Sequence, residues 1–287
     1  MKGPPLLYKY CTAKVAKIII QKGLLRASSP ILFNDPFDSF FPPRFCNIAA
    51  AHRKLKRRFE DILSGKEILP EGSEAEAEFG PLIQLMKSAP PEIRARRASE
   101  ALDKARSLVD ELHDESSKKW KQWIRRLRVL CLCQSGTNPL LWSHYAGQHK
   151  GAVFEFKTTV NPFNRTEAVV YRRTPPRTYS GNDYVDAALL IKPLPPPDLR
   201  PLVKTKAPEW TYEAERRVLN EGSKDSSKYD DFKFPPLALS KILLGCRMSP
   251  CNRKAIMQLA VGDFKHVEIH QLRQSTARYG LVFDRIK

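Results

Sequence analysis

Short alternating runs of apolar and polar residues occupy both ends of the chain, and a helical period replaces them between residues 45 and 128. Leu6-Leu7-Tyr8-Lys9-Tyr10 predicts a strand. Thr12 offers an N-cap to a helix whose Val15, Ile18 and Ile19 share one face, and Gly23 after Lys22 suits its C-cap. Leu24 to Ser28 predicts a second strand. Asn34-Asp35-Pro36-Phe37-Asp38 is a turn sequence: Asn and Asp bond their own backbone, and Pro36 fixes φ.

Residues 45–128 are rich in Ala, Glu, Lys and Arg, with breaks at Gly65, Pro70, Gly80 and Pro90-Pro91. Phe59, Ile62, Leu102, Val109, Trp120 and Trp123 can supply an apolar stripe. Strand signals return at Val129–Cys133, Ala152–Phe156, Ala168–Tyr171 and Arg216–Leu219, with a short helix at Leu140–Tyr145. Pro193–Pro197 reads as an extended loop, and residues 222–231 as polar and mobile. Leu237–Leu244 runs to Gly245, Arg253–Leu259 suits a helix, and His266–Leu272 and Gly280–Ile286 close the chain as strands. The pattern predicts one α+β domain over residues 1–287, with a mixed or antiparallel sheet and residues 45–128 as a helical insertion.

Charge narrows the class of partner. The 287 residues carry a formal net charge of +18, a field that favours a polyanion such as RNA or DNA. Arg53, Lys54, Arg57 and Arg58 form a basic run that reads either as a nucleic-acid contact or as a solvated helix face. No apolar run approaches the ~20 residues of a membrane span, and no secretory signal is visible. Six sparse cysteines fit a reduced chain, so a cytoplasmic protein without a membrane partner is expected. Strand alternation is read as opposing chelation by Cys131 and Cys133 together, and no metal site is expected.

Two motifs concentrate chemistry: Trp142-Ser143-His144-Tyr145-Ala146-Gly147 and Glu209-Trp210-Thr211-Tyr212-Glu213-Ala214-Glu215-Arg216. On a strand, Glu213 and Glu215 share a face. Two carboxylates so placed repel, and one titrates high, which suits a general base or stabilisation of an oxocarbenium-like transition state. The same pair could instead be held structurally by Arg216, Arg217, Lys204 or Lys206. His144 is a further catalytic candidate, since an imidazole titrates near neutrality. Tyr8, Lys9 and Tyr10 can supply stacking rings and a phosphate-binding ammonium, with Trp142 and Tyr145 in the same cleft. Asp35 and Asp38 with Glu213 and Glu215 would make a divalent-ion site, hence a nuclease. A non-enzymatic RNA- or DNA-binding protein is the other alternative.

Tyr8-Lys9-Tyr10, Asn34-Asp35-Pro36-Phe37, Trp142-x-x-Tyr145 with Gly151, Trp210-x-x-Glu213-x-Glu215-x-Arg217 and Ile242-Leu243-Leu244-Gly245 together resemble a bacterial family of unknown function. The resemblance covers nearly the whole chain outside the insertion. It implies a cytosolic protein, with some members near phage-defence genes. The opening strand, helix, Gly23 and second strand to Ser28 also resemble ADP-ribosyltransferase-type folds, and Glu213-Ala214-Glu215 has the form of their Glu-x-Glu signature. That resemblance implies NAD as co-substrate, Glu215 as catalytic carboxylate with Glu213 as its partner, and Ser28 among the cofactor contacts. The first-strand His or Arg usual in such folds is here Lys9 or a Tyr.

Overall fold

The computed structural model of the chain describes residues 5–45, 47–222, 227–277 and 279–287. Strand β1 (Leu6–Cys11) leads to helix α1 (Ala13–Lys22) and strand β2 (Leu24–Ser28). Thr12 accepts from the Val15 amide at the start of α1, and Gly23 closes it at φ 60°, donating its N–H to Ile19. The buried face of α1 is Ala16, Ile19 and Ile20, whereas Val15 and Ile18 stay exposed. The expected stripe is thus rotated by one residue, because a small Ala lets the helix lie close to the sheet.

Helices α2 (Ile48–Leu63), α3 (Glu74–Ser88) and α4 (Pro91–Arg126) follow, and then β3 (Leu127–Cys133), α5 (Pro139–Tyr145) and β4 (Ala152–Lys157). Short strands β5 (Glu167–Ala168) and β6 (Val170–Tyr171) precede α6 (Gly181–Ala188), α7 (Arg200–Val203) and β7 (Thr205–Lys206). The chain finishes with β8 (Glu215–Glu221), β9 (Tyr229–Lys233), β10 (Leu239–Leu244), α8 (Pro250–Leu259), β11 (Glu268–Gln274) and β12 (Leu281–Arg285). The result is a mixed α+β fold with a mixed sheet. β9 pairs along the whole of β2, so Tyr229–Asp231 are strand where the sequence reads as mobile loop. An edge strand exposes most of its side chains, and its polar composition hides it. Residues 223–226 of that stretch lie outside the described residues.

Contacts divide the chain into two compact units. The first comprises Met1–Ser39, Ile124–Thr174 and Lys204–Lys287, and the second Phe40–Trp123 and Pro175–Val203. The first holds the main sheet, in the order β12-β11-β10-β4-β1-β3-β2-β9, with β8 on β3 and β5 on β8. Its core lies on one face, where Leu7, Leu25, Leu130, Phe154, Phe156 and Ile242 meet Ile19 of α1 and Ile256 of α8. On the other face Trp142 and Leu141 of α5 pack on Tyr10, Val153 and Leu243.

The second unit is helical and has its own core of Leu55, Phe59, Phe79, Val109, Tyr179, Tyr184 and Val185. Ser180 and Asp183 form a capping box on α6. This unit draws on residues 175–203 as well as on the long helical stretch. Among the described residues no helix is long and apolar enough to cross a membrane.

The sheet forks at β3. One edge of β3 pairs with β8 from Leu127 to Cys133. The other edge meets β2 at Ser28↔Val129 and β1 at Tyr8↔Cys133, one registered pair each. β1 and β2 therefore diverge from a shared edge, and the opening between them is where the candidate site lies.

Candidate active site

A cleft of about 360 Å³ opens at the fork, lined by residues of the first unit. That is a volume typical of small-ligand sites. Tyr8, Lys9 and Tyr10 come from β1, Ser28 from β2, Cys131 and Cys133 from β3, and His144 and Tyr145 from α5. Phe33, Asn34 and Asp38 come from the turn after β2, and Lys206, Glu213, Glu215 and Arg217 close the far side. Residues two apart on a strand share a face, so Cys131 and Cys133 both open on the cleft; the expectation that alternation separates them is corrected. Both thiols are pushed up by burial first and then by Glu215, which keeps them protonated and poorly nucleophilic.

The floor is a buried ionic network of three carboxylates and two cations. Arg217 spans Glu215 and Asp38: Nε lies 2.8 Å from Glu215 Oε1, and Nη2 lies 2.5 Å from Asp38 Oδ2. Lys206 Nζ donates to Glu213 Oε2 at 2.7 Å and stands 3.6 Å from Glu215 and 3.7 Å from Asp38. Tyr145 donates its hydroxyl to Glu213 Oε1 at 2.6 Å. The Glu215 amide donates to the Tyr171 hydroxyl at 2.8 Å, fixing the start of β8.

Strand alternation does not bring the two glutamates together. Glu213 ends a 3-10 turn over Pro208–Glu213, and Ala214 takes a left-handed conformation (φ 43°, ψ 52°) before β8 begins at Glu215. A non-glycine residue in that region carries strain that the surroundings must hold, a common mark of functional sites.

The two carboxyls part in acidity. Burial pushes Glu213 up, against the pull of Lys206. Burial opposes the charge of Glu215 as well, but the Arg217 guanidinium, with Lys206 and the Cys131 thiol, outweighs it and lowers that carboxyl to about 2. Lys206 remains charged: burial works against it, and Glu215 and Glu213 raise its pKa. Two carboxyls in one site with opposed shifts are the arrangement from which separate proton-transfer and charge-stabilising roles are built.

Tyr8 stands across the fork from this network. Its hydroxyl donates to Glu155 Oε2 at 3.0 Å, and burial together with Glu155 raises the phenol to about 12. A Cβ at Gly136 would lie 2.6 Å from Tyr8 Cδ1, so the bare glycine is what admits the ring. Lys9 donates to the Cys131 carbonyl at 2.9 Å, across the gap where β1 and β3 cease to pair.

Other expected residues lie elsewhere. Trp142 is fully buried, donates to the Gly136 carbonyl at 2.9 Å and packs edge-on to Tyr10 at 5.6 Å, so it anchors the wall and does not line the cleft. Asp35 accepts from the Phe37 amide at 2.9 Å, shaping the turn. Since Asp38, Glu213 and Glu215 are each held by cations, the set read as a divalent-ion site is instead a salt-bridge network, and no metal-holding cluster occurs among the described residues. Arg53, Lys54, Arg57 and Arg58 sit on α2 in the second unit. Arg58 pairs with Glu67 at 2.7 Å and also with Asp186, and Lys54 donates to Asn182 at 2.6 Å. Arg53 and Arg57 are exposed.

No protein-family model, curated protein or solved structure matches the chain. The motif resemblance rests on the residues alone.

Proposed function

We propose that the chain is an NAD-consuming, ADP-ribosyltransferase-like enzyme of the cytoplasm that modifies nucleic acid, in keeping with a place in phage defence. The observation that carries this reading is the forked sheet, which sets two rings and an ammonium opposite two carboxyls of divergent acidity. NAD supplies an activated nicotinamide–ribose bond as substrate. Tyr8 and Tyr145 offer faces for the nicotinamide, and Lys9 offers a cation for the phosphates. Glu215, ionised through the neutral range, stabilises positive charge developing on the ribose. Glu213, with its raised pKa, takes the proton of the incoming acceptor, and His144 at the exposed rim carries it to solvent. Arg217 and Lys206 hold the carboxyls apart and oriented.

The test is nicotinamide release from NAD, with and without RNA, in wild type, Glu215→Gln and Glu213→Gln. Wild type releases nicotinamide and Glu215→Gln does not. Glu213→Gln keeps slow hydrolysis and loses transfer to the acceptor. Absence of release from wild type with every acceptor removes the proposal.

A second reading is a non-enzymatic RNA- or DNA-binding protein. The net charge of +18 favours it, as does the full pairing of the carboxyls by Lys206 and Arg217. On that reading Glu215→Gln binds polyanions as wild type does, and affinity falls with salt at a log–log slope near −0.9 per phosphate contacted on duplex DNA.

A further inference from the structure

Beside His144 the rim of the cleft carries two further rings, Trp210 and Tyr212, that the reaction above does not use. His144 is exposed, with its ring centroid 6.4 Å from that of Trp210 and 6.3 Å from that of Tyr212. Trp210 and Tyr212 lie 6.0 Å apart with their planes inclined by 37°. Both are only partly buried, so ring surface stays open to a ligand. The Lys206 ammonium sits 4.4 Å from the centre of the Trp210 ring, tying the cluster to Glu213 behind it. Asn138 donates to the Tyr212 carbonyl at 2.9 Å, pinning the turn to the start of α5. Two rings are thus held half-open on a braced turn, Tyr212 next to Glu213, with the exposed His144 of α5 beside them.

We infer that His144, Trp210 and Tyr212 form a stacking platform for an unpaired nucleobase of a single-stranded nucleic acid. The inference deepens the proposed function by naming the class of acceptor. Stacking is the sequence-tolerant way to hold a single strand, and the positive charge of the chain draws the polyanion in. A duplex buries its base faces and offers none to such a platform. Glu209, exposed on the same turn, repels phosphate, so the platform takes the base while the backbone runs elsewhere.

The experiment measures binding of a fluorescein-labelled 12-nucleotide single-stranded RNA without NAD, so its outcome is independent of whether the chain cleaves NAD. Trp210→Ala and Tyr212→Ala should each weaken binding about ten-fold, the scale of one lost stacking contact. Trp210→Phe should restore most of it, showing that the ring and not the fold is responsible. The log–log salt slope should stay unchanged in these variants, since no phosphate contact is lost. A matching strand with abasic sites throughout should bind wild type as weakly as the intact strand binds Trp210→Ala. Equal binding of wild type and both Ala variants overturns the inference, as does equal binding of the intact and abasic strands or of single strand and duplex. Nicotinamide release without an acceptor reports separately on the NAD reading.

Discussion

Lys206 Nζ lies 2.7 Å from Glu213 Oε2 with both side chains almost wholly removed from solvent. The pair is the inner half of a network in which every carboxylate has a cation and each cation serves more than one carboxylate. Lys206→Met should therefore destabilise the chain by about 3–5 kcal/mol, the usual cost of leaving a buried charge without its partner. Urea unfolding at neutral pH checks this, and a midpoint equal to that of wild type would show that water reaches the site.

Acid should weaken the fold through Glu215. Its carboxyl is lowered to about 2 in the folded chain, against an ordinary value of 4.5. Below about pH 4.5 the unfolded chain binds a proton that the folded chain does not, so stability present at neutral pH is lost as pH falls toward 2. Glu213, with its raised pKa, acts in the opposite sense: its contribution is lost as pH rises through its folded value. Urea midpoints between about pH 3 and 7 should fall more shallowly on the acid side for Glu215→Gln.

Gly136→Ala should displace the Tyr8 ring. The added methyl would lie 2.6 Å from Tyr8 Cδ1 and 3.0 Å from Leu243 Cδ1. A loss of about 1–3 kcal/mol is expected from overpacking, with weakened nucleotide binding by calorimetry. Tyr8→Leu in the same background should recover the stability but not the binding.

Arg58 should behave unlike its neighbours on α2. Arg58→Ala removes the cation that pairs with Glu67 and Asp186 and should cost about 0.5–1 kcal/mol, in line with partly exposed pairs. Arg53→Ala and Arg57→Ala should leave thermal stability unchanged and, where they touch a polyanion, reduce the salt slope by about one unit each. Unchanged binding and slope would make that run a solvated face.

What the sequence discloses follows from how local each cause is. Thr12 and Gly23 signal the ends of α1 because caps act within four residues. Tyr8 and Glu213 stand out as an aromatic and an acid in short motifs, but nothing near either shows that they face one cleft. That depends on Cys133 pairing with Tyr8 on one edge and with Glu215 on the other. Asp38 and Lys206 were legible only as a turn residue and one of several possible partners, because their roles arise from side chains far along the chain. Ala214 gives no warning at all, since alanine has no preference for the left-handed region. Glu213 and Glu215 meet through that turn and not through strand alternation.

The fork at β3 makes the cleft a caliper. Its two jaws, β1 bearing Tyr8 and β2 ending at Ser28, each meet β3 in one registered pair among the described residues, at Cys133 and at Val129. A single pair constrains a strand less than a full ladder does, so the opening between them rests on those two joints. A change at Cys133 therefore acts on the joint and on the lining together, since that residue also pairs with Glu215.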